Sequence, residues 1–333
     1  MNNEIQNILD EYNLNIEDLH NIGTMVDVMT EYTTDIDKKK INLGFPQLHA
    51  ELRGLRVQEL LTVIAASGIG KSALALNFLL NFARESGELV ILFSLEMSTV
   101  GIAERIFQIE LNKYGYEIEE GFVNSEKAFI QECKNLDKYL GNFIVVTKRL
   151  DIHQLPIYVE LIEKIKGRKA RLIGVDYIGL MDNHLFAKDE YARITDNMKK
   201  LYAYSKDLDV GVVNLSQTSR ADIKGGGMLT IHSGKGSGEV ENSSDFVVTL
   251  ELVPESTSGI DEGLMMDTIE RYCNAKDALL TLMRMVIQKN RRQQKKIIHV
   301  VFNRKNLIIK EYCHGDYSLT KPITDYEKEE NLF

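Results

Sequence analysis

The most regular feature of the chain is a set of short, continuous apolar runs: LLTVIA (60–65), LVILFS (89–94), FIVVT (143–147), LIGVD (172–176), VGVVNL (210–215) and FVVTLEL (246–252). Their β-branched residues and lack of polar alternation predict strands buried on both faces of a parallel sheet. Helical patterns separate the early runs. The clearest spans 71–86 and is closed by Gly87, the residue type that favours a left-handed helix terminus. Two further runs, MRMVIQ (283–288) and KKIIHVVF (295–302), lie close enough to predict an antiparallel hairpin at the sheet edge. The expected fold class is α/β, a mostly parallel sheet flanked by helices.

Ahead of these runs the pattern is different. Ile5, Ile8, Leu9 and Tyr12 recur at i, i+3, i+4 and i+7, the stripe of an amphipathic helix. Charge then accumulates at Asp35, Asp37, Lys38, Lys39 and Lys40 before Gly44-Phe45-Pro46. The expected organisation is a helical arm over 1–40, a core over 41–316 and an acidic tail over 317–333. Gly225–Gly227 and Gly234–Gly238 fall in one long polar connection, a kind of loop that is usually functional or disordered. Residues 254–282 separate the FVVTLEL and MRMVIQ runs and include a helix-like stretch over 266–282.

Composition narrows this picture without changing it. The 333 residues suffice for one large domain or two small ones. Apolar content of 44% and charged content of 27% fit a globular chain. No apolar run reaches the roughly 18 residues of a spanning helix, so no membrane partner is expected. The polar, acidic N-terminus is unlike a secretory signal. Cys133, Cys273 and Cys313 are isolated, which argues against a disulfide framework or zinc site and fits a reducing cytoplasm. The histidines are scattered, with no HExxH or H-x-H grouping, so transition-metal chemistry has no support. Met265, Met266, Met283 and Met285 read as core fillers. A net charge of −9 weighs against nucleic acid, but Lys289, Arg291, Arg292, Lys295 and Lys296 form a local basic patch.

The sharpest chemistry is Ala65-Ala66-Ser67-Gly68-Ile69-Gly70-Lys71-Ser72, followed by Ala73, between an expected strand and an expected helix. That context is the one a P-loop requires. Gly68 and Gly70 permit close backbone approach to phosphate oxygens. Lys71 would neutralise the β- and γ-phosphates of ATP, and Ser72 would ligate Mg²⁺. Ala65 stands where the strict pattern has Gly. Asp176 ends the run LIGVD, where a neighbouring strand would deliver a carboxylate beside the Mg²⁺. Glu96, just past LVILFS, can serve as general base toward the attacking water or as an acidic residue at a helix N-terminus. Gln217 can sense the γ-phosphate at a strand end. Lys289 and Arg291 project from one side of an extended segment, either as an arginine finger for a neighbouring subunit or as a solvated hairpin.

As a series, these segments resemble the ATPase domain of replicative DnaB-type hexameric helicases. The resemblance covers about residues 41–312 and rests on AASGIGKSALALN (65–77), FSLEM (93–97), VDYIGLM (175–181), LSQTSR (215–220), SGEVENSSD (237–245) and QKNRR (288–292). It implies a RecA-like core in which Glu96 is the catalytic base and Asp176 the Mg²⁺-associated Walker B carboxylate. Gln217 becomes the sensor, and Lys289 and Arg291 the cations that reach the adjacent subunit's site. Lys235, Gly236, Ser237 and Gly238 match the loop that follows the DNA backbone, and Asn183, His184 and Lys188 belong to a second candidate channel loop. The family tolerates Ala at position 65.

The implied protein is a homo-oligomeric ring, hexameric in the family, that binds single-stranded DNA and moves 5′ to 3′ in a bacterial cytoplasm. A loader and primase are its expected partners. Only some forty residues precede the core, so the family's helical N-terminal domain is expected to be missing. Asn290 between the two cations and Arg292-Gln293-Gln294 after them also depart from the family pattern. Two readings compete: a recombinase- or clock-like RecA-fold ATPase that binds DNA without unwinding it, and a non-catalytic replisome accessory protein.

Overall fold

The computed structural model describes residues 3–12, 15–16, 19–218, 229–233, 237–253, 269 and 279–312. The chain divides into two units, Met1–Lys40 and Ile41–Phe333. The first holds α1 (Asn3–Tyr12), α2 (Ile22–Thr33) and α3 (Ile36–Lys39). α2 is set by a capping box: the Asn21 side chain accepts from Thr24 N–H at 3.0 Å, and Thr24 Oγ1 accepts from Asn21 N–H at 2.9 Å. The expected amphipathic helix is α1, and Ile5, Ile8 and Tyr12 are exposed on it.

The second unit alternates helix and strand. α4 (Pro46–Leu52) leads to β1 (Leu60–Ala65), α5 (Lys71–Ser86) and β2 (Leu89–Ser94). α6 (Thr99–Leu111), α7 (Gly115–Val123), α8 (Lys127–Asn135) and α9 (Asp137–Leu140) precede β3 (Phe143–Val146). α10 (Leu155–Lys166), β4 (Ala170–Asp176), α11 (Glu190–Asp207), β5 (Gly211–Gln217), α12 (Ser237–Ser243) and β6 (Phe246–Leu252) follow. β7 (Leu280–Asn290), β8 (Ile297–Asn303) and β9 (Ile308–Glu311) complete the described part.

The strands form one sheet in the order β3-β2-β4-β5-β1-β6-β7-β8-β9. The pairs from β3 to β6 are parallel, and β7, β8 and β9 add antiparallel steps. The continuous apolar runs are explained by burial on both faces. Leu61, Val63 and Ala65 of β1 join one core with α5, whereas Leu60 and Ile64 join a second core with α10 and α11. Each buried Leu, Ile or Val among them contributes on the order of 1.5–3 kcal/mol of hydrophobic stabilisation. α5 lies so close to the sheet that a Cβ on Gly174 of β4 would stand 2.4 Å from Leu79 Cδ1. A Gly174→Val change would therefore force this layer apart.

The expected antiparallel edge hairpin is present as β7 and β8, and the four-residue β9, too short to stand out in the pattern, extends it by one strand. One expectation is corrected here. The helix-like reading of 266–282 fails at its end, since Leu280–Leu282 belong to β7 and pair with Asn303–Val301 of β8. Ladder pairing on a buried sheet outweighs local helical pattern there. The rest of that stretch, apart from Ile269 and Leu279, lies outside the described residues, as do the 225–227 glycines and the tail.

Candidate active site

The parallel strands deliver their C-terminal ends to one edge of the sheet. Ala65 of β1 is in register with Gln217 of β5, and Ser94 of β2 with Asp176 of β4. The P-loop leaves β1 at this edge and turns into α5, with Gly68 at φ 78° and Gly70 at φ 118°. Gly70 is needed twice over. Its φ lies in the left-handed region, and a Cβ there would meet the Phe302 ring at 2.8 Å. As the N-cap of α5 it has no side chain, so the first N–H groups of the helix remain for a ligand. Ile69 packs against the core below, and Ala73 is buried beneath the first turn.

This turn borders a cleft of about 320 Å³, lined by Ser67, Gly68, Gly70, Lys71 and Ser72 on one side. Glu96, Arg105, Gln217, Phe302 and Arg304 line the other side. Lys71 is 7% exposed and Asp176 3% exposed. Burial lowers the Lys71 ammonium below its ordinary pKa, against the pull of the Asp176 and Glu96 carboxylates. Burial raises Asp176 above its ordinary pKa, opposed by a hydrogen bond from Ser72 and the charge of Lys71. The Asp176 Oδ1 atom is buried with no hydrogen-bond partner among the described residues. Lys71 Nζ stands 4.5 Å from the Tyr177 ring centroid. The set is held in tension: two opposite charges, both desolvated, with capacity left for a ligand.

The strand that delivers Asp176 is not the neighbour of β1 as expected, because β5 lies between them. The carboxylate still reaches Ser72 because α5 crosses over β5 and β4 on its way to β2. Glu96 is not a helix-terminal residue. α6 is capped by Ser98, whose side chain accepts from Gly101 N–H at 3.2 Å, so Glu96 precedes the cap and borders the cleft.

Lys289 and Arg291 are not in this cleft. β7 runs antiparallel to β6, with Phe246 opposite Asn290, so its C-terminal end lies at the far edge of the sheet. Arg291 pairs with Asp245 Oδ1 at 2.8 Å and donates to Tyr202 Oη at 3.5 Å. Lys289 Nζ donates to the Glu241 carbonyl of α12. Arg292 is structural: it donates to the carbonyls of Leu52 and Gly54 at 2.6 and 2.7 Å and pairs with Glu59. Lys296 pairs with Glu51. Much of the basic patch is thus committed to partners within the chain.

Of the candidate DNA-contacting residues, Lys235, Gly236 and the Ser237 side chain lie outside the described residues, and Gly238 is in the first turn of α12. In the second candidate loop His184 and Lys188 are exposed, but Asn183 turns inward. Its amide donates to Asp196 at 2.7 Å and Asn197 at 3.0 Å. Arg105, Phe302 and Arg304 were not legible as site residues, although one signal was available. Two reversals, β6 to β7 and β7 to β8, restore the parallel direction, so the end of β8 must return to the P-loop edge.

Fold and site define the chain as a P-loop protein with a RecA-like core. The sequence profile of the DnaB-like helicase C-terminal domain matches residues 40–310, and the chain belongs to that family. The replicative DNA helicase DnaB of Treponema pallidum is 28% identical over 231 residues, which are 67% of this chain and 50% of that protein. The chain thus spans about half the length of that relative. A solved DnaB-like replicative helicase, described with its interactions with primase, superposes with a TM-score of 0.68 at 17% identity over 88% of this chain and 67% of its own. A KaiC-like protein of Pyrococcus horikoshii reaches 0.54 at 14% identity, over 82% and 99%. Among the described residues, no helix is long and apolar enough to cross a membrane.

Proposed function

We propose that this chain is the motor of a DnaB-type replicative DNA helicase, a homo-hexameric ring that hydrolyses ATP with Mg²⁺ and moves 5′ to 3′ on single-stranded DNA. The observation that supports it is the division of the charged set between two sheet edges. Lys71, Ser72, Glu96, Asp176 and Gln217 meet at one edge, while Lys289 and Arg291 lie at the other. Strands of six and seven residues, β1 and β6, separate these edges by about 20 Å, beyond the reach of either cation to its own P-loop. A head-to-tail ring brings the far edge of one subunit to the P-loop edge of the next.

In this reading Lys71 and the amides of Ser67–Ala73 bind the phosphates. Ser72 and Asp176 would hold the metal, for which the unpartnered Oδ1 of Asp176 is suited. When bound, Mg²⁺ would neutralise charge between the β- and γ-phosphates. Glu96 orients and deprotonates the attacking water at the cleft mouth. Gln217 senses the γ-phosphate, and Arg291 with Lys289 stabilises transition-state charge in the neighbour. Lys235–Gly238 holds the DNA backbone by contacts that ignore sequence. This segment runs directly into α12, whose Glu241 carbonyl accepts from Lys289, and Asp245 just beyond α12 holds Arg291. A pull on either cation therefore moves the element that carries the DNA segment. Primase, which the solved relative's description names, is the first protein partner to test.

Mixed rings test the shared site. Arg291→Ala and Glu96→Gln subunits, each inactive alone, should regain ATPase activity when combined, and wild-type rings should displace a strand from forked DNA. Intact mixed rings without recovery would exclude catalysis between subunits. ATPase activity without strand displacement would favour the non-unwinding reading.

A further inference from the structure

Away from the cleft, the fold brings His184 to the Asp151-Ile152-His153 segment, and this corrects the expectation of scattered histidines. Asp151 precedes α10, and His184 lies in a single helical turn after β4. A bridge between Asp151 and Asp182 aligns the two segments. One oxygen of Asp151 accepts from His153 N–H at 3.0 Å and lies 2.6 Å from His153 Nδ1. The other accepts from His184 N–H at 2.7 Å and lies 3.1 Å from His184 Nδ1. The two imidazole centroids are 4.7 Å apart with their planes at 53°. One donor atom from each of the three residues lies within 4.8 Å of the others.

We propose that Asp151, His153 and His184 form a binding site for a divalent transition cation of the zinc class. The donor set selects the ion. Imidazole nitrogens with one carboxylate suit Zn²⁺, Co²⁺ or Ni²⁺, whereas Mg²⁺ and Ca²⁺ require oxygen donors. Four-coordinate bonds of roughly 2.0–2.1 Å place ligand atoms about 3.3 Å apart. The carboxylate–imidazole separations of 2.6 and 3.1 Å are already that short, so only the widest separation in the trio, at most 4.8 Å, has to close, by up to about 1.5 Å. Side-chain exposure of 65% for His184 and 32% for His153 leaves the rings room to turn. Asp151 needs no rearrangement, being fixed by two backbone N–H groups.

The ion would use one oxygen of Asp151 and one nitrogen from each ring, with water completing the shell. Its effect is mechanical. It ties the entrance of α10 to the segment that follows β4, the one that holds Lys188. This site does not depend on the nucleotide chemistry proposed above.

The test uses the whole chain without an affinity tag. Co²⁺ titration followed by visible absorption should show a single tetrahedral site that Zn²⁺ displaces. Affinity should fall about 100-fold or more in His153→Ala and in His184→Ala, since loss of a mere orienting partner already costs 10–100-fold. Zn²⁺ should raise the melting temperature of the wild type and leave the double variant unmoved. His184→Gln, at an exposed position, separates loss of a ligand from loss of fold. Absence of Co²⁺ binding by folded wild type would overturn the proposal and leave the trio a structural tether only. Equal binding by the double variant would overturn it too, by placing the metal on other histidines.

Discussion

Two pairs of opposite charges are buried to the same depth in this sheet and handled in opposite ways. Lys71 and Asp176 are 7% and 3% exposed; Glu251 and Arg284, facing each other across β6 and β7, are both 6% exposed. Glu251 spends both oxygens within the fold. One accepts from the Thr249 hydroxyl at 2.9 Å, and the other from Arg284 Nη2 and Nε at 3.1 and 3.3 Å. Asp176 keeps an oxygen bare, and its lysine partner is pulled below its ordinary pKa by burial. Desolvating a charge is costly unless hydrogen bonds compensate it. The β6–β7 pair is compensated, so it serves stability. The P-loop pair is not, so it favours a ligand that brings phosphate and cation.

The largest effect should come from breaking the compensated pair. Glu251→Ala leaves a buried guanidinium without its carboxylate and should lower unfolding free energy by about 3–5 kcal/mol, read from denaturant midpoints. A loss below about 1 kcal/mol would group the pair with surface ion pairs and end the contrast.

Next comes Lys71→Met. ATP turnover should fall by about 10²–10³-fold, the cost of losing one preorganised charge stabiliser. The ligand-free protein should melt no lower than wild type, because the ammonium is held against its desolvation and Asp176 can take up a proton. A stability loss as large as that of Glu251→Ala would show that Lys71 is an ordinary structural ion-pair partner.

The same contrast explains what the sequence disclosed. The parallel strands, the helix over 71–86 and the P-loop follow from local pattern: period, β-branching, Gly at a forced φ. Gln217, Asp176 and Glu96 were found because strand ends carry chemistry in this fold class. Arg105 and Arg304 were missed because they come to the cleft from a helix face and a turn, where no periodicity points inward. The His153–His184 pairing was hidden for a related reason. The two residues are far apart in sequence, and the Asp151–Asp182 bridge and the shared Asp151 carboxylate unite them. The structural role of Arg292 was equally invisible, since its acceptors are the carbonyls of Leu52 and Gly54.

The smallest and most discriminating effect concerns pH. Burial raises Asp176 above its ordinary pKa of 3.8, with the Ser72 hydrogen bond and Lys71 opposing. Between the unfolded value and that raised value the folded chain binds a proton that the unfolded chain has lost. The stability this contributes is complete below the unfolded pKa and disappears as pH rises through the folded pKa. Asp176→Asn has no such titration. Its melting temperature in the ligand-free state should therefore match wild type near pH 4 and exceed it increasingly as pH rises, while its ATP turnover falls. Nucleotide with Mg²⁺ should narrow the gap for wild type, because the ligand favours the ionised carboxylate. If instead the Asn variant melts lower at neutral pH, the Asp176 carboxylate is compensated within the fold as Glu251 is. The two clusters would then differ in position alone.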